Sequence, residues 1–393
     1  MKNTVYEAFE RIYKKPPVSV AFTPYRICPI GAHVDHQLGQ ITGFAIDKGI
    51  HIAYGPKENG IVEIQSLQFP KRAQWHVNST PGNRQDDWAD HLRGATIALA
   101  KRYSLRRGLC AIINGELPIG GLSSSAAVII TFLSALASMN GIKLEQSELI
   151  EIALEAENQY VGVSCGKLDQ SCEVYCKKDH ILYMDLSNDR YEIIPANPDM
   201  KPFKIAIFFS GLERSLSGTS FNTRVDECKS AAYALKAFSG IEYGKFIDTR
   251  LHDVPRAVYD EYKDKLPEKW RKRAEHYYSE CERVKKGIEA WRRGDIEEFG
   301  KVSFESGYSS IYNWETGSPE LIKLYEIMKG TDGVFGGRFS GAGFKGCCMA
   351  IIDPEKQDAI IEKVTKDYLA SFPHLEGKYS AHICSTADGV KLS

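Results

Sequence analysis

The sequence predicts an α+β fold in two domains, and three observations carry the prediction. At 393 residues the chain is too long for one hydrophobic core, taking roughly 100 to 200 residues per domain. Strand-like and helix-like stretches mix through both halves. A polar turn, "PANPDMKP", parts two strands near residue 200 and marks the boundary between domains 1–200 and 201–393.

The elements follow in order. "MKNTVYEAFERIYKK" is charged throughout and lacks the apolar run of a signal peptide, so a short amphipathic helix is expected. Aromatic and β-branched residues bounded by Gly and Pro predict strands over 17–30, 43–55 and 62–69. Helical spacing of Trp88, Leu92, Ile97 and Leu99 predicts a helix over 86–104, followed by a strand over 108–118. The helix expected over Ser123–Met139 is stopped by Asn140-Gly141. A second, over 147–162, carries Ile150, Ala153, Leu154 and Glu157 at i, i+3, i+4 and i+7, which puts a carboxylate on an apolar stripe. Strands are expected over 180–186 and 203–211. The charged stretch 267–295 predicts a long helix with a solvated face. A glycine loop between strands at 333–353, a helix near 354–372 and a strand over 379–386 complete an α+β second half.

Composition narrows the class. Fifty basic and fifty-one acidic residues give a net charge of −1, which points away from nucleic acid and anionic membranes as partners and toward a small molecule. Ten cysteines lack the paired short spacings of a zinc site, so reduced, buried thiols in the cytoplasm are expected. No charge occurs between Glu116 and Lys143, yet Pro118, three glycines and many serines there suit a buried helix with a glycine-serine lead-in better than a membrane span. Monomer and homodimer are both open.

Four stretches carry chemistry. "LPIGGLSSSAAVII" joins a strand to a helix through two glycines and three serines; glycines let backbone amides approach a ligand, and a helix N-terminus favours phosphate. A serine-capped helix is the plain alternative. No Walker A motif occurs. "GAGFKG" fits the dinucleotide pattern, but a strand, "CCMAII", follows where that pattern needs a helix, which disfavours a nicotinamide oxidoreductase. In "AENQYVGVSCGKLDQ", Asp169 follows a glycine turn and suits a general base or metal ligand, with Glu157 a second metal-facing carboxylate. "YRICPIGAHVDHQLGQ" packs Arg26, His33, Asp35 and His36 among small residues.

Together these resemble the GHMP sugar-kinase superfamily and, within it, the galactokinase branch. "PYRICPIGAHVDHQLGQ", "PIGGLSSSAAV" and "GGRFSGAGFKGCC" resemble its three motifs in order, and "AENQYVGVSCGKLDQ", "FNTRVDEC" and "RAEHYYSECERV" resemble further galactokinase blocks over nearly the whole chain. The resemblance implies a two-domain fold with mixed β-sheets flanked by helices and the active site in the inter-domain cleft. It implies ATP at Gly120, Gly121, Leu122, Ser123, Ser124, Ser125 and Ala126, with Mg²⁺ at Ser125 and Glu157. The third-motif loop, Ser340, Gly341, Ala342, Gly343 and Lys345, would close over them. Asp169 would face the sugar's anomeric hydroxyl with Arg26 beside it, offsetting charge on the transferring phosphoryl group. His33 and Asp35 would pair sugar hydroxyls. His36 stands where a tyrosine is common, and a satisfied structural histidine is expected there.

Position 32 separates substrates. Galactokinases usually have glutamate there, directed at the galactose 6-hydroxyl, and this chain has Ala32. A carboxylate at carbon six would meet that glutamate at a cost of about 4 kcal/mol at 4 Å and an effective dielectric of 20. Its removal fits the galacturonokinases, which the stretch resembles and which phosphorylate D-galacturonate. Tyr25 for a usual glycine and Phe221 for a sugar-contacting tyrosine would reshape the pocket, and Lys345 and Arg224 are candidate partners for the carboxylate. A galactose or L-arabinose 1-kinase and a non-catalytic sugar sensor are the alternatives; intact Arg26, Asp169 and serine loop favour an enzyme.

Overall fold

The computed structural model describes residues 2–212 and 219–391. Twelve strands form two sheets among the described residues. The first holds β1 (Ser19–Ile27), β2 (Gln40–Lys57), β3 (Ile61–Ser66), β4 (Ala73–His76), β5 (Gly108–Gly115), β6 (His180–Asp185) and β7 (Arg190–Pro195). The second holds β8 (Lys204–Phe209), β9 (Val334–Phe339), β10 (Cys347–Ile352) and β11 (Ser380–Cys384). A two-residue strand, β12 (Thr386–Ala387), crosses back to pair with β2.

β2 is the spine of the first sheet. Its 18 residues pair with β1 over 44–54, with β5 over 50–57, with β12 at 45–46 and with β6 over 40–43. A strand this long serves four partners because its apolar residues are buried nearly end to end. The second sheet, ordered β11-β8-β10-β9, is antiparallel throughout. Its two faces alternate strictly: Ile205, Ile207 and Phe209 join the core of the first sheet, while Ala206 and Phe208 join a separate cluster. The polar segment between β7 and β8 therefore separates two sheets that share one core.

Among the described residues eleven α-helices surround them: α1 (Lys2–Tyr13), α2 (Asp90–Ala100), α3 (Ser124–Met139), α4 (Gln146–Glu155), α5 (Leu168–Tyr175), α6 (Thr219–Ser239), α7 (Arg256–Tyr262), α8 (Glu268–Arg293), α9 (Ile296–Tyr312), α10 (Pro319–Lys329) and α11 (Gln357–Ser371). The uncharged stretch after Glu116 becomes α3, eleven of whose sixteen residues are buried. No helix among the described residues is long and apolar enough to cross a membrane. All ten thiols are free.

Several expectations need correction. The helix expected over 147–162 breaks at Ala156 into a π-helical turn, Ala156–Val161, that ends at Gly162 with φ +84°. α8 is not a solvated helix, because Arg273, His276 and Glu280 on it are fully buried and paired within the protein. β4, β7, α5, α6, α7, α9 and α10 were not foreseen; most are short or lack a clean apolar period.

α9 and β9 approach so closely that a Cβ on Gly300 would overlap the Phe335 carbonyl and one on Gly336 would overlap the Gly300 backbone. Gly300→Ala is expected to lower stability by about 2–3 kcal/mol, despite alanine's better helix propensity, because the helix must lift off the sheet. Gly82→Ala, which meets nothing within 4 Å, is the control. Equal melting temperatures for the two variants would remove the close-approach argument.

Candidate active site

The site assembles around Arg26. A bulge between Pro24 and Tyr25 shifts the register of β1 against β2. Beyond it the Arg26 guanidinium, 3% exposed, donates from Nε and Nη2 to Asp169 Oδ1 at 2.8 and 2.7 Å. Its Nη1 donates to the Gly121 carbonyl at 3.0 Å. Burial opposes the charge, and the Asp169 carboxylate outweighs it, raising the arginine's pKa. One side chain thus fixes the first turn of α5 to the glycine loop before α3. Tyr25 sits apart: its hydroxyl lies against Gly115 and Gln68 at the end of β5, so the structure does not bring it to the sugar residues.

That loop is shaped by glycine. Gly120 and Gly121 have φ of +135° and +89°, and Ser123, at +57°, leads into α3. A Cβ at Gly121 would meet Cys347 Sγ at 2.7 Å, one at Gly346 the Gly120 carbonyl carbon at 2.7 Å, and one at Gly341 the Gly121 Cα at 2.9 Å. The second and third motifs therefore meet backbone to backbone. Ser123 Oγ and Ser340 Oγ are buried there without hydrogen-bond partners among the described residues. Leu122 and Ala126 are buried, Ser124 and Ser125 half-buried, and Ala342 and Lys345 exposed on the facing loop; Gly343 packs on Thr316. Unpaired hydroxyls, open amides and a helix N-terminus on one surface are what a polyphosphate needs.

The carboxylates converge on α5. Asp35 is buried in the 3₁₀ turn Asp35–Gln37, and a Cβ on Gly166 would sit 2.6 Å from its Oδ2. Burial, then the nearby Asp169, push Asp35 up to about 6. Glu157, on the π turn, accepts from Gln170 Nε2 at 2.5 Å, which places it beside the residue following Asp169. Its hard oxygen and the Ser125 hydroxyl suit a cation that also takes phosphate oxygens.

Aromatic rings wall the other side. His33, held at φ +63°, stacks on Trp314 at 5.0 Å between ring centroids and 6° between planes; Phe221 lies 6.5 Å from His33 and 5.9 Å from His36. The Ala32 carbonyl bonds His276 Nε2 at 3.0 Å. Burial, and then Arg338 and the other histidines, hold His33 neutral. His33 Nε2 and Trp314 Nε1 are buried without hydrogen-bond partners among the described residues. Arg224 donates to the Trp314 and Glu315 carbonyls, so its charge braces this wall.

Comparison with known proteins agrees with this geometry. Models of the GHMP kinase N-terminal domain, the GHMP kinase C-terminal domain and the galactokinase galactose-binding signature match residues 90–177, 288–370 and 7–56. A galacturonokinase of Arabidopsis thaliana is 37% identical, covering 99% of this chain and 97% of its own. The chain is a GHMP kinase of the galactokinase type. A galactokinase of Clostridium perfringens is 30% identical over 97% of each chain. In fold, the kinase matches Lactococcus lactis galactokinase, solved with galactose, at a TM-score of 0.89, 24% identity and coverage of 99% and 98%. It is a phosphotransferase acting on a sugar hydroxyl, and GHMP kinases draw the phosphoryl group from ATP.

Sequence reasoning missed several groups that frame the kinase's site. Arg338 and Glu280 are fully buried 3.5 Å apart, and Ser306 bonds both. The signal was an arginine inside the apolar strand "VFGGRF". Glu173, one turn after Asp169 on α5, is fully buried, and neither carboxyl oxygen has a partner among the described residues. Burial, then Asp169, push its pKa well above 4.5 despite Arg26, so the folded kinase keeps a proton that the unfolded chain releases above about 4.5. Its stability contribution is complete below that value and falls as pH rises, by up to about 1.4 kcal/mol per unit until the folded pKa is reached. Glu173→Gln removes this linkage. Its melting temperature should exceed that of the wild type by several degrees more at pH 8 than at pH 5; a difference that does not change with pH would mean that Glu173 is ionised in the fold.

Proposed function

We propose that this kinase transfers the γ-phosphoryl group of ATP to the anomeric hydroxyl of D-galacturonate, with Mg²⁺ bound at Ser125 and Glu157. Ala32 carries the reading. It lies beside His33 and Asp35, where a galactokinase glutamate would oppose a carbon-six carboxylate. The name of the 37%-identical Arabidopsis relative supports the same substrate.

The residues divide the work as follows. Asp35 and His33 accept from and donate to ring hydroxyls, and the Trp314–Phe221 wall excludes water. Asp169 takes the proton of the anomeric hydroxyl as the new O–P bond forms and the bond to the ADP leaving group breaks. Arg26 keeps Asp169 in place and faces the charge on the transferring group. Gly120, Gly121 and the serines through Ser125 hold phosphates by amides and hydroxyls, with Gly341 to Lys345 above them. Bound Mg²⁺ offsets phosphate charge.

A neutral-sugar reading keeps one support: L-arabinose has no carbon six, so Ala32 suits it as well. The kcat/KM ratios for D-galacturonate, D-galactose, D-glucuronate and L-arabinose decide between them. Galacturonate should lead, and Ala32→Glu should reduce its kcat/KM at least tenfold relative to galactose. A lead for galactose or arabinose would refute the uronate assignment.

A further inference from the structure

A cleft of about 360 Å³ opens beside the sugar residues, lined among others by Asp35, His36, Gly166, Lys229 and Arg250. It is bounded by the Asp35–Gln37 turn, the start of α5, α6 and the turn Leu251–Asp253. Three cations, Lys167, Lys229 and Arg250, and two carboxylates, Asp35 and Asp189, line it.

The state of His36 follows from its neighbours. Gln37 Oε1 accepts from Leu251 N at 2.9 Å, which fixes the amide so that Nε2 is the donor. That Nε2 lies 2.9 Å from His36 Nδ1, which must therefore accept. The neutral ring then carries its proton on Nε2, which is buried without a partner among the described residues. His36 is thus only half satisfied, contrary to the expectation of a structural histidine. Its ring is neutral because burial, then His276, Arg250 and Lys229, drive it down to about 3.

Two of the three cations that line the cleft have no ion pair among the described residues. Lys229, on α6, is 8% exposed and makes no hydrogen bond or ion pair among the described residues. Arg250 donates Nη1 to the Ile247 and Thr249 carbonyls at 2.7 and 3.0 Å and pairs with no carboxylate among the described residues. Burial, and then Arg250, lower the Lys229 pKa; Asp226 and Asp248 act on it only at range. The other charges nearby are committed: Lys167 pairs with Asp189 at 2.9 Å and Asp253 with Lys236 at 3.3 Å. An ammonium and a guanidinium in one cleft, neither of them ion-paired, repel each other. An acceptor bearing negative charge relieves that cost and satisfies the His36 N–H.

We propose that this cleft receives the carboxylate of the acidic sugar, held by Lys229, Arg250 and His36 Nε2–H, a statement that rests on the uronate reading above. His36 and His33 both pack on Trp314, at 5.5 and 5.0 Å, and Asp35 lines the cleft while lying close enough to Asp169 to feel its charge. A sugar ring set against Asp35 therefore has the phosphoryl-transfer residues on one side and the cationic cleft on the other. Lys345 and Arg224, the candidates from sequence, give way: Lys345 is exposed on the phosphate-side loop and Arg224 is spent on backbone carbonyls.

The test compares Lys229→Gln, Lys229→Arg and His36→Phe with the wild type on D-galacturonate and D-galactose, with melting temperatures to confirm folding. Lys229→Gln should lower the galacturonate-to-galactose ratio of kcat/KM at least tenfold, mainly through the galacturonate KM. Lys229→Arg should recover most of the ratio, and His36→Phe should lower it severalfold even if Lys229→Gln does not fold. A wild type selective for galacturonate whose Gln and Phe variants keep that selectivity overturns the carboxylate seat alone. A wild type that ignores galacturonate overturns the seat and the uronate assignment together.

Discussion

The Arg26 guanidinium is the contact on which the rest of the site depends. It binds a carboxylate on α5 and a carbonyl in the glycine loop from a strand paired to the spine of the first sheet. A buried cation of this kind is costly unless every donor finds an acceptor, and breaking one partnership leaves the others strained. The relative placement of Asp169 and the glycine loop is therefore set by one desolvated charge. Around it the protein places further buried charge in matched sets: Arg338 with Glu280 and its serines, and Arg273 with Glu227 and Glu315. Other buried polar atoms stay unpaired among the described residues, and three of them, His33 Nε2, His36 Nε2 and Trp314 Nε1, lie on rings that pack together.

Much of this was legible in sequence, for uneven reasons. α3 was legible from its apolar run and the Asn140-Gly141 stop, and α4 from apolar residues at i, i+3 and i+4, though its end was not. The three motifs were legible because their glycines answer a local demand, positive φ and close backbone approach, which leaves a local trace. Arg26 and Asp169, 143 residues apart, were joined by resemblance to a family and not by any pattern in the chain. α5 escaped because eight residues, six of them buried, show no polar face to set a period. α8 misled in the opposite direction: its charges look like a solvated face, and what makes three of them buried lies on other elements.

The glycine contacts between the second and third motifs explain how two sheets build one site. Gly120 and Gly121 meet Gly341 and Gly346 with no side chain between, so the loops approach within backbone contact and their amides face a common volume. Side chains at these positions would hold the loops apart and let water between them.

The last strand carries a consequence for how the molecule is made. Beyond β12, Gly389 and Val390 donate to the carbonyls of Cys176 and Glu173, and Thr386 bonds Asp179, so residues synthesised more than 200 positions later secure the C-terminal end of the helix bearing Asp169. While the chain is still emerging from the ribosome, that helix has only part of its support. The end of α5 is thus secured by some of the contacts most distant in sequence, which can form only after these late residues have been made.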